Sequence, residues 1–274
     1  MKIVLLCSDS PNQVVLANLL HQDFGVDQLI LWTPQSASKA KREKIFGRIV
    51  RLTQGIFNIP YKRAWFGMMR HYRKTFSTFP SVPLLKTSDI NSEEVAQQIR
   101  NREQTLFLVS GTNLLNHSLL KSIHKSSKMI NLHTGISPYV KGGPNCTNWC
   151  LANNRLSRIG NTVLWIDQGI DSGNLIATEQ TNLEGVTSLL ELQIRVMDHA
   201  HSLYLKVVRR ILSGQKVPSV AQTEFGERNL FLTKNWTVTM RIKGLVNFVI
   251  RFKVRRDFLS FSESLILVNF LAED

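Results

Sequence analysis

The sequence has few acidic residues, few cysteines and no long apolar runs. Its 274 residues include 34 Lys and Arg against 20 Asp and Glu, and three Cys. No apolar run reaches the roughly 18 residues that a membrane span requires, so we expect no transmembrane segment. The three Cys show no pairing pattern, and no His/Cys set has zinc-ligand spacing. We therefore expect a cytoplasmic protein without a metal site.

The positive charge is concentrated in two stretches of the chain. Residues 39–74 hold eleven Lys and Arg against one acid, Glu43, and residues 228–256 hold eight and no acid. Such a bias favours contact with a polyanion, which can be a phosphate compound, a nucleic acid or an anionic membrane surface. Solvated basic faces that only keep the protein soluble are the other interpretation.

Strand and helix patterns alternate along much of the chain. Residues 2–7 and Asp27–Trp32 are apolar runs that flank the helical pattern Asn12–His21. This order predicts a mostly parallel, Rossmann-like α/β sheet flanked by helices. Further strands are predicted at residues 105–110, 128–133, 160–166 and 175–181, and the longest helix at residues 186–212.

Residues 34–80 interrupt this alternation. We interpret them as a basic insertion that lies over the sheet edge. Two amphipathic helices are predicted within it, Arg42–Thr53 and Ala64–Lys74.

The last sixty residues carry a weaker pattern. Residues 226–233 and 236–241 are predicted to be strands. We therefore expect a main domain over residues 1–215 and a small basic C-terminal module over residues 216–274.

The most informative motif spans Met129–Asp171. Asn131 and His133 stand two apart on a predicted strand, so they face the same side of the sheet. Ser137-Pro138 and Gly142-Gly143-Pro144 then break the chain into a loop. Asp171 follows His133 by 38 residues, in a Gly-Ile-Asp-Ser-Gly turn. An amide, an imidazole and a carboxylate are thus expected together at the carboxyl ends of strands.

This arrangement resembles the folate-dependent formyltransferases that act on glycinamide ribonucleotide, methionyl-tRNA or sugar nucleotides. Their pattern is Asn-x-His-x-Ser-x-Leu-Pro, a glycine-bearing loop and Asp-x-Gly-x-Asp-x-Gly. The chain departs from it where Thr134-Gly135-Ile136-Ser137-Pro138 replaces Pro-Ser-Leu-Leu-Pro. The resemblance implies an enzyme of this type, with Asn131, His133 and Asp171 as its catalytic residues.

The three residue types suit formyl transfer. The reaction passes through an oxyanion, which an Asn amide stabilises by a hydrogen bond. A His can move the proton between the two nitrogens, or stabilise the oxyanion as imidazolium. A neighbouring carboxylate orients its ring.

The resemblance also implies N10-formyltetrahydrofolate as formyl donor. Its pterin is expected in a pocket formed largely by backbone. Plain core packing remains open for Leu114, and a turn role for Asp167. The matching positions are Ser110, Gly111, Thr112, Asn113, Leu114, Ile166, Asp167, Gly169 and Ile170.

The sequence leaves the acceptor amine open. Glycinamide ribonucleotide enzymes carry a glycine-rich phosphate loop where this chain has Ser8-Asp9-Ser10-Pro11-Asn12. Glycinamide ribonucleotide is therefore a less favoured acceptor. A nucleotide-linked amino sugar is our first hypothesis. A methionyl-tRNA acceptor is the second, favoured by charge, although about sixty C-terminal residues are short for the basic barrel of those enzymes. A formyl-folate hydrolase or a basic binding module is the third. The sequence indicates no oligomeric state.

Overall fold

The structure is a computed structural model that describes residues 1–33, 45–100, 102–143, 145–255 and 265–269, without the side chains of residues 45–54. Its centre is a seven-stranded sheet in the order β3-β2-β1-β4-β5-β7-β8, beside a two-stranded sheet of β6 and β9. The strands are β1 Lys2–Ser8, β2 Gln28–Trp32, β3 Leu84–Thr87, β4 Thr105–Ser110, β5 Lys128–His133, β6 Lys141–Gly142, β7 Gly160–Trp165, β8 Leu175–Gln180 and β9 Leu230–Phe231.

Seven α-helices are present in the described residues. The last of them continues as a π-helix over Val249–Arg255. The helices are α1 Pro11–Phe24, α2 Ile45–Thr75, α3 Glu93–Arg100, α4 His117–Lys121, α5 Cys146–Ala152, α6 Leu189–Leu212 and α7 Val238–Phe248. None of the described helices is both long and apolar enough to cross a membrane.

The strand β1 shows why the sheet is covered on both faces. Ile3 and Leu5 pack in a core cluster with residues of α1 and α6, whereas Val4 and Leu6 pack in a cluster with residues of α3 and α4. Since successive strand residues point to opposite faces, a continuous apolar run requires helices on both sides. The predicted mostly parallel α/β sheet is confirmed, with β7 running antiparallel to both of its neighbours, β5 and β8.

The prediction of two helices between residues 42 and 74 is wrong for the described part. A single helix, α2, runs through Pro60. It packs on α1 and α6 and not over the sheet edge. Met68 and Tyr72 are buried there, and Tyr72 Oη donates to Asp198 Oδ1 of α6 at 2.6 Å. This tertiary packing overrides the local break that Pro60 favours. Residues 34–44 of the predicted insertion lie outside the described residues.

The predicted C-terminal strands are also largely wrong. Only Leu230–Phe231 of the first forms a strand, and the second lies at the start of α7. Thr237 caps that helix by accepting a hydrogen bond from the Met240 amide at 3.4 Å. The β-branched residues at the start of α7 favour a strand, but the packing of α7 on α5 stabilises a helix there instead.

The described C-terminal residues pack against the rest of the chain. Phe225, Phe248 and Val268 share one buried cluster with residues of β7, β8 and α6. Arg158, which is buried, makes two hydrogen bonds to the Glu227 carboxylate at 2.7 and 2.6 Å. This pair holds the pKa of Glu227 near 2, below its ordinary 4.5, chiefly through the Arg158 hydrogen bonds.

Candidate active site

The three predicted catalytic side chains meet beside the carboxyl end of β5. Asp171 Oδ1 accepts a hydrogen bond from Asn131 Nδ2 at 3.2 Å, and Asp171 Oδ2 lies 3.2 Å from His133 Nδ1. One carboxylate therefore contacts both other groups. Asn131 and His133 stand on the same face of β5, as their spacing requires. The loop after β7 brings Asp171 into contact with Asn131 and His133.

Both ring nitrogens of His133 face oxygen acceptors. Nε2 lies 3.0 Å from the Val140 carbonyl oxygen, and Nδ1 faces the Asp171 carboxylate. Because a carbonyl oxygen only accepts, Nε2 carries a hydrogen. Nδ1 likewise faces only an acceptor, and the ring between the two acceptors is buried.

The loop after β5 fits closely around the imidazole ring. A Cβ atom at Gly135 would lie 2.6 Å from His133 Nε2 and 2.8 Å from the Val140 oxygen. Only glycine leaves room there. The Thr162 hydroxyl donates to the Gly135 oxygen at 2.7 Å and accepts from the Ser137 amide at 3.0 Å. These contacts explain how the altered motif tail still closes around His133.

Asp171 is held by contacts from two other segments. Its backbone has a φ of 48°, unusual for a residue with a side chain. The Gly142 amide donates to its Oδ2 at 3.1 Å. Gln222 Nε2 donates to the carbonyl oxygens of Asp171 and Gly173 at 2.7 and 2.8 Å. Sequence reasoning missed Gln222, because no local pattern links it to a loop about fifty residues earlier.

Cys146 is the third group near the imidazole. Its Sγ lies 3.6 Å from His133 Nε2 and donates toward the Gly142 oxygen at 3.4 Å. Complete burial raises the pKa of the Cys146 thiol well above its ordinary value, with smaller contributions from Cys150 and Asp171. The thiol therefore stays protonated and packs against the ring as a neutral group.

A cavity of about 770 Å³ adjoins the three side chains. All nine positions predicted for folate line it, together with Asn131, His133 and Asp171. Leu114 is 54% exposed and Ile170 is 40% exposed, so Leu114 is not plain core packing. Asp167 lines the cavity and also forms the turn, since its Oδ1 accepts from the Gly169 amide at 3.0 Å and from the Ser172 hydroxyl.

The charge of the cavity differs from that of the whole chain. Among the described residues that line it, three are aspartates, Asp9, Asp167 and Asp171, and none is Lys or Arg. The chain as a whole carries a net charge of +14. Carboxylates near a reacting centre favour a cationic ligand group over a phosphate. Further lining residues that the sequence did not indicate include Trp32, Trp65, Asn145, Gln193, Phe231 and Thr233.

Further parts of the cavity lining come from separate elements. Asn145 Nδ2 donates to Gln193 Oε1 at 3.0 Å, and Gln193 Nε2 donates to Asn148 Oδ1 at 3.2 Å. Trp65 reaches the cavity from α2, and Phe231 reaches it from β9. The hydrophobic character of Trp65 and Phe231 predicts that they are core residues. Their position in the cavity lining follows only from the tertiary fold.

Comparison with known proteins identifies relatives over most of the chain. A family model described as formyl transferase matches residues 1–208. A methionyl-tRNA formyltransferase of Syntrophomonas wolfei is 26% identical over 142 residues, which are 52% of this chain and 44% of that protein. The chain thus matches about half of the length of such curated relatives, or less.

Solved structures share the fold. An N-formyltransferase from Helicobacter canadensis, in complex with folinic acid and dTDP-3-aminofucose, superposes with a TM-score of 0.54 at 14% identity and covers 90% of this chain and 81% of that one. A phosphoribosylglycinamide formyltransferase from Bacillus halodurans gives a TM-score of 0.51 at 19% identity, over 77% and 96% of the two chains.

Proposed function

The chain belongs to the formyl transferase family, and we propose that it moves a formyl group from N10-formyltetrahydrofolate to a primary amine. One observation carries this proposal. The Asp171 carboxylate contacts both His133 Nδ1 and Asn131 Nδ2 at 3.2 Å, on the wall of a cavity of about 770 Å³. Such a set supplies a neutral hydrogen-bond donor and an oriented cation where an oxyanion develops.

In the proposed reaction, the amine nitrogen attacks the formyl carbon and the carbonyl oxygen becomes an oxyanion. The bond from that carbon to N10 then breaks, the amine loses a proton and N10 gains one. Asn131 uses one N–H for Asp171, and its second N–H is available to the oxyanion. The imidazolium of His133 adds positive charge nearby. Asp171 keeps both groups in place.

We propose that folate binds along the nine cavity residues after β4 and β7. Gly111 and Gly169 allow the backbone to come close to the ligand, and Leu114 and Ile170 present exposed apolar surface to a flat ring. A pterin carries donors and acceptors along its edges, which backbone groups can match. This wall fits the donor, and the lining residues not assigned to folate, among them Trp65, Asn145 and Gln193, remain for the acceptor.

We propose an amino sugar linked to a nucleotide as the acceptor. The aspartates of the cavity suit its ammonium group, and the described lining offers no Lys or Arg to a phosphate. The diphosphate would then lie outside this lining. Residues 34–44, which follow Trp32 and Thr33, carry Lys39, Lys41, Arg42 and Lys44 but lie outside the described residues. The Helicobacter canadensis protein, which shares this fold and forms a complex with dTDP-3-aminofucose, supports this choice of acceptor.

A methionyl-tRNA acceptor is the second candidate. It is favoured by the curated relatives, which are methionyl-tRNA formyltransferases, and by the two basic stretches. Binding of RNA is dominated by phosphate neutralisation, so affinity for tRNA would fall steeply as salt rises. A sugar nucleotide offers two phosphates, and its KM would depend on salt only modestly.

The test uses N10-formyltetrahydrofolate with an isotope-labelled formyl group. The purified chain is incubated with dTDP- and UDP-linked amino sugars or with methionyl-tRNA, and the label is followed by mass spectrometry. We expect label on the sugar amine, and its loss in the Asp171→Asn variant, which keeps the shape but removes the charge. Label on methionyl-tRNA alone would mean that the acceptor is methionyl-tRNA and not an amino-sugar nucleotide. Labelled formate without any acceptor would instead indicate a hydrolase, and no reaction at all would contradict the proposal.

The domain organisation of the chain is part of this proposal. Residues 1–215 would form the catalytic domain and residues 216–274 a small basic module. The second part contributes Gln222, which holds the Asp171 loop, and Phe231, which lines the cavity. The module would therefore complete the site rather than act apart from it.

A further inference from the structure

The outer face of α7 and its π-helical continuation is apolar. Five aliphatic side chains spaced three or four residues apart, or adjacent, form one exposed stripe, and each is 36–72% exposed. Exposed helix faces are normally polar, because the apolar stripe of an amphipathic helix packs on the core. Here the core is contacted by Gly244, Phe248 and Phe252 instead. The stripe consists of Ile242, Val246, Val249, Ile250 and Val254.

A second exposed stripe lies on the neighbouring helix α2. Ile56, Ile59 and Phe66 follow one another at helical spacing and are 60%, 42% and 56% exposed. The two helices are in contact, since Tyr61 Oη donates to the Arg241 carbonyl oxygen at 2.9 Å. Large apolar side chains therefore protrude from two adjoining helices. A clustered apolar surface of this kind usually marks an interaction site.

The two helices that carry the stripes contain basic residues and no acidic ones. Residues 44–88 and 228–256 contain no Asp or Glu. Lys243 and Lys253 are exposed beside the α7 stripe, and Lys62, Arg63 and Arg70 are exposed along α2. We call the exposed residues of these two helices the α2–α7 surface. Its combination of aliphatic side chains with cations matches an anionic partner that also has an apolar layer.

We propose that the α2–α7 surface docks on an anionic lipid membrane. Aliphatic and aromatic side chains enter the boundary between headgroups and acyl chains, while Lys and Arg remain at the charged headgroups. Each basic residue held near such a surface strengthens binding. Trp65 lies on the same helix and lines the cavity, so docking places the mouth of the active site close to the membrane.

RNA fits this surface less well than lipid. Contacts to RNA phosphates require cations, and contacts to bases use aromatic side chains or hydrogen-bonding groups. The surface has cations and Phe66, but most of its exposed apolar side chains are Val and Ile, which make neither kind of contact. A second copy of the chain could bury the stripe, but the many cations would then face one another, which costs free energy.

The first experiment measures sedimentation of the wild-type chain with vesicles at roughly 0.1 M salt, where surface charges act over about 10 Å. Vesicles of phosphatidylcholine alone are compared with vesicles that contain phosphatidylglycerol. We expect binding to the anionic vesicles and much weaker binding to the neutral ones. Wild-type protein that stays in the supernatant with both would overturn the proposal.

Two variants with matched controls locate the surface. Val246→Asp is compared with Leu84→Asp on β3, because these side chains are 48% and 45% exposed. The pair Lys243→Glu and Lys253→Glu is compared with Lys121→Glu and Lys125→Glu, which change the net charge equally on the side of α4. We expect roughly 10-fold or greater loss of vesicle binding in each α7 variant, and less than about 2-fold in its control.

Equal losses in a variant and its control would contradict the proposal, since net charge or general hydrophobicity would then explain binding. So would a dimer, detected by light scattering, that Val246→Asp dissociates. Binding of tRNA by wild type without vesicle binding would assign the surface to RNA. These readouts need no formyl transfer, so their outcome is separate from that of the proposed function.

Discussion

The cavity and the α2–α7 surface differ in charge and in what they expose. The described cavity lining carries three aspartates and no Lys or Arg, whereas residues 44–88 and 228–256 contain no acid at all. The catalytic side chains of the cavity hydrogen-bond to one another, while the outer helices present Val, Ile and Phe to solvent. Net charge is thus a poor guide to the chemistry of this site. The positive charge of +14 belongs mainly to surfaces outside the cavity.

The two regions also differ in how their residues are fixed. Asp171 is held by hydrogen bonds from Asn131, Gly142 and Gln222. The exposed stripe of α7 has solvent on its outer side. Substitutions in the cavity should therefore change turnover, and substitutions on the outer helices should change stability or docking. The predictions below test this division, in order of decreasing effect.

The largest effect is expected at Asn131. Asn131→Ala removes the proposed oxyanion donor and should lower kcat by roughly 10²–10³-fold, without changing folding. Asn182→Ala is a matched control, because it removes the same amide from an exposed residue that does not line the cavity. Its kcat should change by less than about 2-fold. Equal kcat in Asn131→Ala and wild type would make Asn131 a structural residue.

The next effect concerns stability at the contact between α2 and α6. His201 is buried and its Nε2 has no hydrogen-bond partner among the described residues, and burial lowers its pKa from 6.5 to about 4. The unfolded chain binds a proton that the folded chain does not. The contribution of His201 to the free energy of unfolding is therefore fully present above about pH 6.5. The free energy of unfolding falls by as much as about 3 kcal/mol as the pH drops to about 4.

The variant His201→Leu should flatten this part of the stability curve, measured by urea unfolding from pH 7 to 4. His117→Leu is the control, since His117 is exposed on α4, and should follow the wild-type curve. Activity at pH 7 should be unchanged in both. A curve for His201→Leu that declines as steeply as wild type would place the acid sensitivity elsewhere.

A smaller effect on turnover is expected at Gln222. Gln222→Ala removes two hydrogen bonds to the Asp171 loop, which are worth about 1 kcal/mol each, and should lower kcat roughly 10-fold. Gln180→Ala is the control, because Gln180 Nε2 donates to the Ser157 oxygen away from the cavity. A loss of thermal stability shared by both variants, with kcat intact, would show that Gln222 does not position Asp171.

The smallest effect on turnover is expected on α7. The variant carrying Lys243→Glu and Lys253→Glu should keep kcat and KM for a soluble amino-sugar nucleotide within about 2-fold of wild type, even if vesicle binding is lost. Steady-state kinetics in the absence of vesicles tests this. A large rise in KM would mean that these lysines hold the acceptor, and the two regions would then share one function.

The comparison also shows which features local sequence indicates. The predicted bounds of the strands Thr105–Ser110 and Lys128–His133 agree with the structure, because each contains several apolar residues in close succession. The short strand β3 was missed, since Leu84–Thr87 is half exposed and gives no clear pattern. The β-branched residues at the start of α7 predict a strand, but this segment is a helix in the structure, where it packs on α5.

The alternation of strands and helices, and the position of Asn131 and His133 on one face of a strand, can be predicted from the local sequence. Both follow from periodicity, which is a local property of the backbone. Three other features cannot be predicted in this way: the Val140 carbonyl oxygen contacts His133, Gln222 holds the Asp171 loop, and the apolar stripe of α7 faces outward. These features join segments far apart in the chain, and their contacts depend on the packing of the whole fold.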